Sequence, residues 1–353
     1  MIMVKLKVGV IGLGFMGSAH ARVYNRLDEC KLVGICDVNL ARKYLAEQYH
    51  CKFFENFTDL LEEKLDAVSI CTPTSTHREI SLEALERDRH ILVEKPLTLN
   101  VKDAEEIIKR SKKSDLLAVG YIERFNPAIN KLREIVDFKH ISSTISLRFG
   151  PGSTRIRDVG VLMDLGSHEI DMLSYLTKTE PEVLYAYVSN NSSNNFENYA
   201  YVSLRYGHIH SHIETSWLPN YKLRFINLYG NKKFYSLDYA QQNIKCYRAP
   251  PKVNIEFGSW EDILWLSRNV VEDIPVSPAE PLELELKCFV KSVRKGEVVD
   301  PLCGGQGALE VLKIIEKSFS EMGKKHLVEY MSENRGEKAS LGHWSKTTNG
   351  SLK

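Results

Sequence analysis

Three groups of residues in this chain have the types and spacing that chemistry requires. The apolar run Ile91–Val93 ends on Glu94, Lys95 and Pro96. That order sets a lysine and an acid where a buried strand would emerge at a sheet edge. Further on, "DVGVLMDLGSHEIDMLSYL" places Asp164, His168 and Asp171 at i, i+4 and i+7, one face of a helix. A histidine titrates near working pH and can take a proton from a hydroxyl, and a lysine ammonium can stabilise the alkoxide character that develops. The residues alone leave other readings open: Lys95 as a solvated turn residue, Asp164 as a helix cap, His168 as a satisfied core histidine, and Asp171 as a group that orients the histidine or caps a neighbour.

The third group is the glycine pattern. "KVGVIGLGFMGSAHARVYNRL" runs from a short β-rich stretch through Gly12-x-Gly14-x-x-Gly17 into a helix-like segment. Gly12 permits a tight turn, Gly14 lets backbone approach a pyrophosphate, and Gly17 allows close packing of helix on strand. Phe15 and Met16 belong to the helix start, whose N–H groups face phosphate. A second strand, "KLVGICD", ends on Asp37, twenty residues beyond Gly17. An acid there accepts hydrogen bonds from the ribose hydroxyls. It also repels a 2′-phosphate, so NAD is expected before NADP, although Arg42 follows close by.

The elements that must position these groups alternate. "FTDLLEEK" reads as a helix, "DAVSICTPT" as a strand, "HREISLEALERD" as a helix, "HILVEKP" as a strand, "VKDAEEIIKRSKKS" as a helix and "LLAVGYIERF" as a strand. This is the pattern of a doubly wound parallel sheet. Ligands bind such sheets outside the carboxyl ends of the strands, where Thr72-Pro73, Glu94-Lys95-Pro96 and Glu123-Arg124 converge. After Phe125 alternating strands take over, among them "ISSTISLRFG", "NYAYVSLRYGHIHSHIETSW" and "RFINLYGNKKFYSLD", and these predict an antiparallel sheet. His208, His210 and His212 share a face in this reading. No carboxylate or cysteine completes a metal set, and no metal is expected.

Composition excludes several classes. The 353 residues, 43% of them hydrophobic, suit two domains. Lys plus Arg (47) nearly cancel Asp plus Glu (46), so there is no basic field for nucleic acid or an anionic membrane. Seven cysteines, odd in number and never spaced as CxxC, fit neither a disulfide framework nor a zinc site and read as reduced thiols of a cytoplasmic protein. Lys5 and Lys7 before "VGVIGLGFMGSAHA" imitate a signal peptide, but the glycines account for the stretch. No apolar run approaches the roughly 18 residues of a membrane span.

With "EKP" after this fingerprint, the chain resembles the glucose-fructose oxidoreductase and inositol dehydrogenase (Gfo/Idh/MocA) family over about residues 5–330. The resemblance implies an α/β protein with an N-terminal Rossmann domain and a C-terminal α/β domain built on a large, open, mostly antiparallel sheet. The exposed face of that sheet makes the oligomer interface in the family, so a homodimer or homotetramer is expected. It also implies that Lys95 lies between nicotinamide and substrate with Thr72, Pro73, His77 and Glu94 nearby, and that Asp164 and His168 are the family's acid and histidine. The domains are read as 1–122 and 123–330, with a helix near 304–323 packing back on the first domain and a disordered polar tail over 331–353.

"YIERFNPA", "RFGPGSTRIRDVGV" and "TSWLPNYKLRF" resemble a branch of that family that oxidises C3 of UDP-N-acetylglucosamine for a partner aminotransferase. Where that branch is expected to have a His-Asp pair, this chain has Glu169 after His168. Arg124, Arg148, Arg155, Arg157, Lys222 and Arg224 cluster in or beside these segments, the local charge that a diphosphate demands. Arg124, Asn126, Arg155, Arg157 and Lys222 are therefore the expected substrate contacts. The rivals are a dehydrogenase of a free sugar, an inositol or a UDP-sugar uronate, and a non-catalytic NAD(P)-sensing regulator.

Overall fold

The computed structural model describes residues 4–111, 116–152, 158–190, 196–248, 260 and 270–333. The first half alternates strand and helix: β1 (Leu6–Ile11), α1 (Phe15–Arg26), β2 (Cys30–Cys36), α2 (Tyr44–Tyr49), β3 (Lys52–Phe54), α3 (Phe57–Leu61), β4 (Ala67–Ile70), α4 (His77–Glu86), β5 (His90–Glu94), α5 (Val101–Arg110) and β6 (Leu117–Gly120). The six strands are parallel, in the order β6-β5-β4-β1-β2-β3. Their central members are largely apolar and buried because helices cover both faces. The order reverses between β1 and β4, and all the strand ends that carry motif residues lie on that carboxyl edge.

The second half is an eight-stranded sheet. It contains β7 (Ile141–Phe149), β8 (Glu182–Ser189), β9 (Tyr199–Tyr206), β10 (Ile209–Ser216), β11 (Leu223–Gly230), β12 (Lys233–Asp238), β13 (Asn243–Arg248) and β14 (Val270–Ile274). Every pairing is antiparallel except β7 with β10. Alternate residues of β9 and β10 are buried, so one face meets the core, where α7 (Ser167–Thr177) packs. The stretch read as one long strand through three histidines is two strands. Gly207 turns at φ +61 between them, so His208 lies in the turn and does not share the strand face of His210 and His212. A helix, α6 (Pro127–Ile135), stands where strands alone were expected, capped by the Asn126 side chain and opened by Pro127, a strong start signal.

The chain then returns to the first sheet. Helix α8 (Pro281–Lys295) lays Leu282, Leu286, Phe289 and Val290 into one cluster with Val8, Val10, Ala21 and Tyr24. The two-residue strand β15 (Cys303–Gly304) pairs antiparallel with β6 and becomes the sheet's seventh strand. Helix α9 (Gly305–Glu333) follows, packing on α5, α7 and β8. It runs to Glu333, three residues into the stretch expected to be disordered, and the rest of that stretch lies outside the described residues. All seven cysteines are free thiols, and no helix among the described residues is long and apolar enough to cross a membrane.

One charged residue of α8 breaks the apolar pattern. Glu285 is fully buried, and neither carboxylate oxygen has a hydrogen-bond partner. Burial, then the nearby Glu94, Asp171 and Glu123, push its pKa well above the ordinary 4.5, which keeps it protonated in the folded chain. A carboxyl with a raised folded pKa contributes stability that is fully present below the unfolded value and is lost as pH rises through the folded one. Glu285→Gln, which cannot titrate, is expected to leave the melting temperature nearly unchanged near pH 4.5 and to raise it at neutral pH, by an amount worth roughly 1–3 kcal/mol. Thermal melts of both proteins from acid to neutral pH check this; a gain that does not grow with pH would exclude the protonated carboxyl.

Candidate active site

β1 hands the chain to α1 through the glycine turn. Gly12 has φ +85, and a Cβ there would lie 2.8 Å from the backbone of Cys71. A Cβ on Gly17 would lie 1.7 Å from the Gly12 carbonyl oxygen. At Gly14 a Cβ meets nothing within 4 Å, so this glycine leaves room for something other than protein. Gly14 is also the N-cap of α1, makes no side-chain cap bond, and is followed by a first turn without acids. The positive end of the helix dipole is therefore left for an anion. Phe15 is 71% exposed beside it, and Met16 packs inward. Asp37 closes the cradle: Oδ2 accepts the Leu13 N–H at 2.6 Å and Oδ1 the Asn39 N–H at 2.7 Å. The remaining lone pairs of the carboxylate suit ribose hydroxyls.

Across the switch point the motif residues brace one another. Thr72 follows β4, and its hydroxyl accepts that of Thr76 at 2.8 Å. Pro73 caps the helical turn Thr74–Thr76. His77 is 1% exposed, with Nε2 at 3.0 Å from the Thr72 carbonyl and Nδ1 at 3.0 Å from the Pro96 carbonyl. It links two loops of the site, and burial lowers its pKa. Glu94 meets His20 of α1 at 3.0 Å, which ties the end of β5 to the cofactor helix.

Lys95 crosses to the second domain. Its Nζ donates to both the carbonyl oxygen and Oδ1 of Asp164, each at 2.7 Å. Asp164 lies in a π-helical turn, Leu162–Gly166, that leads into α7, and π turns of this kind recur at functional sites. His168, one turn later, is 6% exposed, sits edge-on to Tyr121 at 6.2 Å, and has no hydrogen-bond partner at Nδ1. Burial, then Arg148, Lys95 and Arg224, hold its pKa well below the ordinary 6.5, so the imidazole is neutral and able to accept a proton. Asp171 does not orient the histidine. Its carboxylate takes the Arg124 guanidinium, with the closest contact at 2.6 Å.

The expected substrate contacts divide. Arg124 is spent on Asp171, and its guanidinium stacks over Tyr175 at 5.3 Å. Asn126 is 3% exposed, caps α6 and donates to the Tyr239 carbonyl at 2.8 Å. Arg148 is buried in a network with Glu123, Glu169 and Tyr239, in which Ser146 also bonds Glu169 and Arg224 shares Glu123. Lys222 is exposed next to β11, and Arg155 and Arg157 lie outside the described residues. Glu169, which stands where the branch is expected to have an aspartate, is thus a buried network acid. Two contributors were not singled out in the sequence: Trp217, whose Nε1–H donates to Asp164 Oδ2 at 3.3 Å, and Glu197, whose carboxylate accepts the Leu162 N–H at 3.2 Å.

A glycine cradle with its acid, opposed across the sheet edge by a lysine, an aspartate and a neutral histidine, is the arrangement that dinucleotide-dependent hydride chemistry requires. Residues 6–121 match the oxidoreductase family, NAD-binding Rossmann fold, and residues 134–236 match the GFO/IDH/MocA C-terminal domain. The two matches together take in more than half of the sequence, and the chain belongs to the Gfo/Idh/MocA family, with NAD as the cofactor of its first domain. It is 38% identical over 181 residues to a UDP-N-acetylglucosamine 3-dehydrogenase of Acidithiobacillus ferrooxidans, covering 51% of this chain and 56% of that protein. Over 192 residues it is 32% identical to a myo-inositol 2-dehydrogenase of Thermotoga maritima, covering 51% and 58%. The chain thus spans little more than half the length of these curated relatives. A solved structure of the Acidithiobacillus ferrooxidans UDP-N-acetylglucosamine 3-dehydrogenase superposes with TM-score 0.78 at 26% identity, over 91% of this chain and 98% of that one.

The glycines separate folding from binding. Gly14→Ala is expected to leave the melting temperature unchanged and to weaken NADH binding at least about tenfold, because its Cβ occupies phosphate space. Gly17→Ala is expected to destabilise the fold itself. Calorimetry of both variants with NADH titration checks this, and a Gly14→Ala protein that binds NADH normally would show that the pyrophosphate lies elsewhere.

Proposed function

We propose that the chain is an NAD-dependent dehydrogenase that oxidises a secondary hydroxyl of a nucleotide sugar to a ketone, at C3 of UDP-N-acetylglucosamine. The observation that carries the chemistry is the Lys95–Asp164 pair beside a neutral, buried His168 on the cofactor edge. The substrate is supported by the 38% identical relative and by the exposed Lys222 next to β11. NAD, when bound, supplies the acceptor for the hydride from the carbinol carbon. His168 takes the hydroxyl proton, on Nε2 because Nδ1 is sealed from solvent. The Lys95 ammonium stabilises the oxygen as charge develops on it, and Asp164 holds that ammonium in place. The ketone leaves as a substrate for an aminotransferase. A homodimer or homotetramer would use the outer face of the larger sheet, which exposes Tyr185 and Tyr187.

A second reading, oxidation of a free polyol, is favoured by one observation. Arg124 and Arg148, two cations expected at the diphosphate, are committed to internal acids, and the myo-inositol relative is 32% identical. Following NADH formation with UDP-N-acetylglucosamine, UDP-glucose, a UDP-sugar uronate, glucose and myo-inositol, with an aminotransferase and glutamate to pull the equilibrium, separates the two. Turnover of the first substrate, lowered at least about a hundredfold in Lys95→Ala and His168→Ala, is expected; turnover of myo-inositol alone would replace the nucleotide-sugar reading. Truncating Arg155 and Arg157 is expected to impair nucleotide-sugar use only. Because His168 stays neutral well below pH 6.5, kcat/KM at pH 6 is expected within about twofold of its value at pH 7.5. A loss centred at pH 6.5 would point to an ordinary, solvated histidine.

A further inference from the structure

The Asp164 carboxylate is gripped from two sides. Lys95 Nζ bonds Oδ1 at 2.7 Å, and the Trp217 indole N–H bonds Oδ2 at 3.3 Å. Trp217 is the first residue after β10, and backbone bonds fix it on both sides: its N–H donates to the Asn198 carbonyl at 2.9 Å, and its own carbonyl accepts the Gly152 N–H at 3.1 Å. Gly152 lies just past β7, and the chain runs on from it to Arg155 and Arg157. Asn198 adjoins Glu197, which caps the π turn carrying Asp164. One indole therefore joins the carboxylate to both loops that border it.

The count of donors on Lys95 gives this grip a purpose. An ammonium has three N–H groups, and two of them are used on the carbonyl oxygen and Oδ1 of Asp164. The third is left to meet a substrate oxygen. A carboxylate free to rotate about its terminal torsion would offer Oδ2 to that third N–H. The indole, which can only donate, holds Oδ2 away from it.

We propose that Trp217 is a positioning residue for hydroxyl oxidation: its indole N–H pins Oδ2 of Asp164, so that Lys95 stays on Oδ1 and keeps one N–H aimed at the reacting oxygen. This rests on the dehydrogenase reading above. An interaction that matters as the alkoxide forms appears in kcat, whereas one that merely seats substrate appears in KM. Two replacements separate these: Trp217→Phe, and the isosteric benzothienyl-alanine at position 217, whose sulfur stands in place of the N–H and preserves packing. With melting temperature and NADH affinity unchanged, both are expected to lose about tenfold in kcat with KM within about twofold. In the wild-type protein the Trp217 indole 1H–15N signal, assigned by its loss in Trp217→Phe, is expected to shift in Asp164→Asn. Full kcat in the isosteric variant, a change confined to KM, or an indole signal indifferent to Asp164→Asn would each overturn the proposal. The indole signal needs no substrate, so if the wild-type protein oxidises none of the compounds offered, the dehydrogenase reading fails while the hydrogen bond is still decided.

Discussion

Everything in the site turns on one ion pair that spans two domains. Lys95 leaves the end of a parallel strand, Asp164 sits in a π turn ahead of a helix of the other sheet, and their side chains are only 14% and 12% exposed. Taking two charges out of water is unfavourable by several kcal/mol per ion, and their attraction restores this only with good geometry and further hydrogen bonds. Here the geometry comes from the docking of the two sheets, and the further bonds come from the Asp164 carbonyl and Trp217. The pair is thus a result of the fold more than a cause of its stability.

Behind it lies a second layer of charge that adds to the effect of burial on His168. Arg148, 3% exposed, is balanced by Glu123 and Glu169, with Tyr239 and Arg224 at the margins. The acids satisfy the guanidinium, yet the net effect of the surrounding cations on the imidazole is to disfavour its protonation. Arg148 and Arg224, expected from their place in the sequence to meet a diphosphate, are therefore paired with internal acids.

What could be read from the sequence follows from the distance over which each feature is encoded. The glycine turn, Asp37 and Lys95 are local: three glycines, a strand end and a strand-end lysine lie within stretches whose geometry neighbouring residues determine. The parallel sheet was legible for the same reason, since each β-α step announces the next. The partners of Arg124, 47 residues away at Asp171, and of Trp217, 53 residues away at Asp164, depend on how the halves dock, which no periodicity records. Helix α6 was hidden differently. Its Asn-Pro start was present, but the strands around it set the expectation. The histidine row failed because one glycine at positive φ turned a single strand into a hairpin.

The small strand β15 carries a consequence for how this protein is born. The edge of the cofactor sheet at β6 is completed by Cys303 and Gly304, and α8 supplies much of the apolar cover over β1 and α1. Both follow the strands of the second sheet in the chain. On the ribosome the nascent Rossmann half carries an unpaired strand edge and a bare hydrophobic flank until α8 and β15 have emerged. That interval is a window for chaperones or for misassociation with another nascent copy, and it completes the nucleotide-binding half only after elements that follow the second sheet in the chain.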